Sequence, residues 1–228
     1  MIKLTYVVLV WNEVETIKKA IEDVQKIKYP NKEIIVIDNN STDGTKNILK
    51  KIKNIKKIYR KKNLGAGKSC VTGIKKAKGN YIFIQFSDLE YDHNRSIDML
   101  NYAMKNNLDI VLGSRLKNKK SIYKMIIRKP AYLATIITTF LINILYKKKF
   151  TDIIGAKLYK TQAVKKIPVN SFHTGFDFEF ISRACVRKLK IGEISVKYKQ
   201  RKNLSNKKIK FYNIFNAFYE IFKVKIFE

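Results

Sequence analysis

Three carboxylates fall close together in Gln85-Phe86-Ser87-Asp88-Leu89-Glu90-Tyr91-Asp92, directly after Tyr81 to Ile84, an apolar run that reads as a buried strand. In an alternating strand and helix pattern, the end of such a strand is where open sheets bind ligands. Hard divalent cations take oxygen ligands, so Asp88 and Glu90 are candidates to hold Mg2+ or Mn2+ against a diphosphate. Two more polar clusters end earlier apolar runs. The first strand runs out in Val10-Trp11-Asn12-Glu13, the second in Asp38-Asn39-Asn40-Ser41-Thr42-Asp43-Gly44-Thr45. Carboxylates at adjacent strand ends can accept hydrogen bonds from base N–H groups and ribose hydroxyls, which makes Glu13 and Asp38 candidates to read a nucleoside, with Trp11 and Asn40 beside them. Taken alone, the second cluster is equally a turn leading into a capped helix.

The elements that must position these groups alternate. Strands are predicted at Leu4 to Trp11, Glu33 to Ile37, Ile55 to Tyr59, Tyr81 to Phe86 and Ile110 to Leu112. Helices are predicted at Glu13 to Ile27, Thr42 to Ile52 (Ser41 or Thr42 as N-cap), Ala66 to Lys78 and Ile97 to Met104. That order predicts an α/β fold, a Rossmann-like and mostly parallel central sheet with helices on both faces. The second half departs from it. Ala131 to Tyr146 carries no charge and is bracketed by Arg128-Lys129 and Lys147-Lys148-Lys149. The segment suits a helix lying in a membrane interface, or a buried core helix with solvated ends. Further strands are predicted at Gly155 to Tyr159 and Ile191 to Tyr198, with a helix over Phe176 to Lys188 and an aromatic, amphipathic stretch from Phe211 to Phe227. The expected division is a main domain over 1–204, including an interfacial segment at about 122–147, and a C-terminal amphipathic helix over 205–228.

The 228 residues hold 48 Lys and Arg against 18 Asp and Glu, a formal net charge of +30. Such a charge points to phosphorylated ligands, an anionic membrane face or nucleic acid. The basic residues are spread along the chain and form no recognised nucleic-acid module, so no nucleic-acid partner is expected. Cys70 and Cys185 are far apart and form no metal spacing, which reads as a reduced, cytosol-facing protein. No signal peptide is evident, and no uncharged apolar run reaches the roughly 20 residues a membrane span needs. Gly65-Ala66-Gly67-Lys68-Ser69 ends like a phosphate loop, but Lys62 stands where that motif requires glycine. Close backbone approach to a donor at Gly65 is the better reading.

In order along the chain stand Asn12-Glu13, Asp38-x-x-Ser41-Thr42-Asp43-Gly44-Thr45, Asn63-Leu64-Gly65-x-Gly67 and the Asp88 segment. Then come Gly113-Ser114-Arg115, Thr151-Asp152 with Gly155-x-Lys157-Leu158, Gly175-Phe176-x-x-Glu179, and Glu193-Ile194-Ser195-Val196-x-Tyr198-x-x-Arg201. This set resembles the family 2 glycosyltransferases of GT-A fold, and within them the dolichyl-phosphate mannose synthase-like, polyprenol-phosphate enzymes, from about Leu4 to Lys208. Phe86 departs from that pattern, standing where the family has the first aspartate of its metal segment.

The resemblance implies inverting transfer of a hexose from a nucleotide diphosphate sugar, GDP-mannose or UDP-glucose, to a polyprenyl phosphate on the cytosolic face of a membrane, where the protein would be peripheral. A phosphate monoester has its second pKa near ~6, so it is already nucleophilic at neutral pH and needs placement more than a base. Arg115 and Arg201, with Lys208, are the candidates to grip that phosphate. Asp88 is the expected catalytic carboxylate, assisted by Mg2+ or Mn2+. Asp152 and Glu179 match acidic family positions and are either sugar or acceptor contacts or core hydrogen-bonding groups. Two alternatives stay open: a nucleotide-sugar-binding relative weakened by Phe86, and a glycosyltransferase acting on a saccharide.

Overall fold

A computed structural model describes residues 2–92, 94–117, 131–171, 175–199 and 213–228. Its strands are β1 (Leu4–Val10), β2 (Lys32–Asp38), β3 (Lys56–Tyr59), β4 (Tyr81–Phe86), β5 (Ile110–Ser114), β6 (Ala156–Lys160) and β7 (Ile191–Ser195). Its helices are α1 (Ile17–Lys26), α2 (Thr45–Lys51), α3 (Gly65–Lys76), α4 (Arg95–Lys105), α5 (Ala131–Tyr146), α6 (Thr161–Val164), α7 (Phe176–Val186) and α8 (Asn213–Phe227). The strands form one sheet in the order β3-β2-β1-β4-β6-β5-β7. β1, β2, β3 and β4 are parallel, β7 is parallel to β5, and β6 runs antiparallel to both of its neighbours.

Side chains alternate across each strand, and here both faces are covered. Val7, Leu9, Ile35, Ile37, Ile82 and Ile84 pack toward α3, α7 and α8. Tyr6, Val8, Val10, Ile34, Val36 and Phe83 pack toward α1, α2 and α4. The expected doubly covered α/β sheet is therefore present. The edge strand β3 carries Lys56 and Lys57, which blunts it against pairing with another chain.

Several boundaries differ from expectation. α1 begins at Ile17, because the Glu13 and Val14 N–H groups are tied to Thr45 and Asp43 after β2 before the helix can start. α2 begins at Thr45 rather than Thr42. Its entry is set by Asp43, whose Oδ1 accepts from the Thr45 N–H at 3.0 Å and hydroxyl at 2.6 Å, and by Gly44 at φ +97°. Neither Ser41 nor Thr42 is the cap. β7 stops at Ser195, and Tyr198 instead makes a separate bridge to Tyr91. α8, the expected C-terminal amphipathic helix, buries Ile214, Ala217, Ile221 and Val224.

One close approach is decisive for the later geometry. A side chain at Gly155 would run into the Gly113 carbonyl of β5 and lie 3.0 Å from Asp152 Oδ2. Backbone cannot yield as a flexible side chain can. Gly155→Ala should therefore destabilise by about 1–3 kcal/mol or more, read as a lower urea midpoint with an unchanged m-value. A wild-type midpoint would show that the β5–β6 junction is looser than this.

Candidate active site

Register decides which loops meet. Val10 pairs with Asp38 and Leu9 with Phe86, so β1, β2 and β4 deliver their following residues at one edge. β5 ends at the same edge with Ser114, and antiparallel β6 begins there, with Ala156 opposite Gly113. This is the crevice outside the carboxyl ends of the strands.

The nucleoside-side loops are laced together. Asn12 N–H donates to Ser41 Oγ at 2.9 Å, and Thr42 N–H donates back to Asn12 Oδ1 at 2.9 Å. Glu13 N–H donates to Thr45 Oγ1 at 3.0 Å, and Val14 N–H to Asp43 Oδ2 at 3.0 Å. Partial burial opposes the charge on Asp43, but the Thr45 hydroxyl and N–H and the Val14 N–H outweigh it and hold the carboxyl below the usual range. Asp38 is buried and accepts from Ser41 N–H at 3.2 Å. Partial burial, then the charge of Asp38, pushes the Tyr59 phenol up. Asn39 ties this loop to the next: its amide donates to Asn63 Oδ1, and its Oδ1 accepts from Leu64 N–H at 3.1 Å. Gly65 opens α3 at φ +79° and donates to Asn63 Oδ1 at 2.8 Å. Trp11 and Glu13 are partly buried beside these loops, and the Glu13 carboxylate accepts from the Thr16 hydroxyl at 2.9 Å. Asn40 sits at φ +65° with its side-chain oxygen accepting from Lys46 at 3.0 Å.

Asn12, Asn40 and Leu89 all take positive φ, one after each of β1, β2 and β4. For the branched Leu89 this is a strained conformation, of the kind that gathers at ligand sites. Asp88 and Glu90 flank it. Asp88 is partly exposed and accepts from Glu90 N–H at 3.2 Å. Glu90 is buried, and its Oε2 accepts from the Tyr198 hydroxyl at 2.7 Å. The two carboxylates expected to share a cation therefore have different surroundings. Among the described residues, no three His, Cys, Asp or Glu side chains converge. A cation held by Asp88, diphosphate oxygens and water fits this donor set, because Mg2+ commonly uses one or two protein carboxylates. Phe86, on the β4 face that carries Ile82 and Ile84, is 37% exposed. With Gly67, Tyr91 and Asp177 it lines a cavity of about 40 Å3.

Beyond Glu90 lies a cationic and aromatic group. Arg115 donates from Nε to Asp152 Oδ2 at 2.7 Å and from Nη2 to Asp152 Oδ1 at 2.9 Å, and its backbone N–H adds a bond of 3.0 Å. The pair is buried, with side-chain exposures of 9% and 0%. Burial opposes both charges, but their mutual attraction holds the Asp152 carboxyl low and the Arg115 guanidinium high. The guanidinium carbon stands 5.3 Å from the ring centre of Tyr132 and 5.5 Å from that of Tyr198. Burial drives the Tyr91 and Tyr198 phenols well above their ordinary value. Glu193 fixes the loop behind, accepting from Thr151 N–H and Asp152 N–H at 3.0 Å each.

Most of the sequence candidates thus meet along one edge: Trp11, Glu13, Asp38, Asn40, Gly65, Asp88, Glu90 and Arg115. Arg201 and Lys208 lie outside the described residues. Glu179 is fully buried and takes the core role, accepting from Asn170 N–H at 3.0 Å, Ser171 N–H at 2.7 Å and Arg183 Nε at 2.9 Å. Sequence reasoning passed over Tyr91, Tyr132, Tyr198 and the Lys157–Asp177 ion pair at 3.0 Å. Tyr91 and Tyr198 stood inside quoted motifs, but nothing in a tyrosine's type says that Tyr198 will meet an arginine or that Tyr91 will pack on Tyr198.

A doubly wound sheet with acidic loops laced at its carboxyl edge is the architecture of a GT-A nucleotide-sugar domain. Residues 5–168 match the model of glycosyl transferase family 2, and the chain belongs to that family. Poly-beta-1,6-N-acetyl-D-glucosamine synthase of Staphylococcus epidermidis is 32% identical over 124 residues, which are 52% of this chain and 30% of that protein. The chain therefore spans well under two thirds of that relative. Glucosyl-3-phosphoglycerate synthase from Mycobacterium tuberculosis, solved with Mn2+, UDP and phosphoglyceric acid, superposes with a TM-score of 0.69 at 14% identity over 96% of this chain and 78% of that one. S. aureus TarS 1–349 with UDP-GlcNAc gives 0.62 at 18% identity over 96% and 66%. At those identities the likeness is one of fold.

Proposed function

We propose that this chain transfers a hexose, with inversion, from a nucleotide diphosphate sugar to a polyprenyl phosphate. The observation that carries the reading is what stands next to Asp88 on the side away from the nucleoside loops. That side offers the Arg115 guanidinium with Tyr132 and Tyr198, while its carboxylates are engaged: Asp152 by Arg115, Glu90 by Tyr198, Asp177 by Lys157. A sugar hydroxyl needs a general base, commonly a carboxylate, to take its proton. A phosphate dianion does not, and it favours a cationic wall.

In this reading Glu13 and Asp38 hold the nucleoside, and the Gly65 turn lets backbone approach the donor. Asp88 holds Mg2+ or Mn2+, which when bound supplies Lewis-acid stabilisation of the departing diphosphate. Asp152 fixes Arg115 through Nε and Nη2, and the rest of the guanidinium would meet the acceptor phosphate. Arg201 and Lys208 would add to the grip. The Mn2+ and UDP named for the glucosyl-3-phosphoglycerate synthase structure support the donor and metal parts. A saccharide acceptor is the second reading, favoured by the polysaccharide product in the name of the Staphylococcus epidermidis relative.

Radiolabelled GDP-mannose and UDP-glucose, offered with a short polyprenyl phosphate and with Mg2+, Mn2+ or EDTA, test the proposal. The expected result is lipid-linked hexose that EDTA abolishes. Phe86→Asp, which adds a carboxylate two residues before Asp88, should lower the metal concentration needed for half-maximal rate by about tenfold. Label passing only to an oligosaccharide would overturn the lipid reading in favour of the second. Activity in Phe86→Asp alone would make the natural chain the weakened relative.

A further inference from the structure

α5 is apolar on both sides. It buries Tyr132, Thr135, Thr138, Thr139 and Ile142, yet leaves Leu133, Ile137, Phe140 and Ile144 exposed. Their spacing of four, three and four residues makes one stripe along the helix. A helix of a water-soluble protein normally turns its apolar stripe inward. α8 repeats the pattern: Phe215, Tyr219, Phe222 and Ile226 are exposed at the same spacing. The two helices lie side by side, with the Tyr146 hydroxyl donating to the Ile221 carbonyl at 3.3 Å and the Lys225 ammonium 5.6 Å from the Tyr146 ring centre. Two such stripes on neighbouring helices differ from the singly scattered apolar exposure that needs no explanation.

We propose that α5 and α8 together form a plate that docks on an anionic lipid bilayer. Charge selects this occupant. Lys147, Lys149 and Lys225 are exposed where α5 ends, α5 itself has no charged residue, and the chain carries +30 overall. Basic residues beside an apolar interfacial helix attract anionic headgroups, by roughly fivefold in affinity per lysine. Among the described residues no helix is long and apolar enough to cross a membrane, so contact is with the surface. The plate also leads to the site. Tyr132, one residue before the stripe begins, stacks on Arg115. A lipid whose phosphate reached Arg115 would keep its tail along the plate. This inference deepens the lipid-phosphate reading and rests on it only for that last step.

The test is flotation with phosphatidylcholine vesicles, with and without phosphatidylglycerol. The wild type should float with the anionic vesicles. Phe140→Glu with Phe222→Glu should weaken binding about tenfold or more with the thermal midpoint unchanged. Lys149→Glu with Lys225→Glu, on exposed side chains, should remove the preference for phosphatidylglycerol, and carries the test if the first pair loses its fold. Binding untouched by either pair overturns the proposal. So does a vesicle-free dimer that Phe140→Glu with Phe222→Glu turns into monomer, since a second copy would then cover the plate. Nucleotide-sugar binding by calorimetry without vesicles reads the donor assignment separately, so either idea can fail alone.

Discussion

Asp88→Asn should lower the rate of hexose transfer by about a hundred- to a thousandfold, the usual consequence of losing one group that stabilises charge in a transition state. The fold should survive. Asp88 is partly exposed, and asparagine keeps an oxygen able to accept the Glu90 N–H. The loss should therefore appear in single-turnover rate with saturating donor and metal, while the urea midpoint stays at the wild-type value. Glu90→Gln makes the contrast. Glutamine can still accept from the Tyr198 hydroxyl, so its transfer rate should fall far less than that of Asp88→Asn. Equal losses in the two variants would mean that both carboxylates face the donor, and the division of roles around Leu89 would be wrong.

Asp152→Asn should cost about 3–5 kcal/mol of stability at neutral pH, because it leaves a buried guanidinium without its counter-charge. The pH dependence gives the sign. The folded Asp152 carboxyl is held below its unfolded value, which is near ~4. Its contribution is therefore fully present above that unfolded value. It is lost as pH falls through the lower folded one, because the unfolded chain binds the proton first. Asp43 and Glu179 are shifted in the same direction and add to the acid sensitivity. Urea midpoints for wild type and Asp152→Asn should lie far apart at pH 7 and converge in acid. A gap that stays constant with pH would mean that the aspartate acts by shape and not by charge. The variant should also slow transfer, since the pair holds Arg115 against Tyr132 and Tyr198.

Both results concern groups whose types were visible in the chain but whose partners were not. Asp88 and Glu90 are two residues apart, and spacing alone made them equivalent candidates for one cation. The positive φ of Leu89 and the arrival of Tyr198, 108 residues away, give them different surroundings. Arg115 read as a hand for phosphate. The fold first gives it to Asp152, 37 residues on, so any phosphate meets an ion pair and not a lone cation. Glu179 stood in a motif beside site residues, yet it is enclosed with Asn170, Ser171 and Arg183.

Local pattern was enough for the layers and for the edge that carries the site. Apolar runs of strand length between amphipathic segments impose a parallel sheet covered on both faces, and that topology sends the acidic loops after β1, β2 and β4 to one side. Helix starts were misjudged where a long-range bond decided them, as at Thr45, whose hydroxyl serves both Asp43 and the Glu13 N–H. The uncharged α5 showed its length and its lysine flanks in sequence. Which of its faces would be buried did not follow from hydropathy, because both are apolar: the fold buries Ile142 with three threonines and exposes Leu133, Ile137, Phe140 and Ile144. The chain by itself thus determined the elements of a mostly parallel sheet, its carboxyl edge and the residue types gathered there, since hydrophobic periodicity is local; the insertion of antiparallel β6 between β4 and β5 is not. Only the tertiary structure decided which charge meets which, and which stripe of α5 faces out, because those outcomes depend on residues that sequence separates and packing alone brings together.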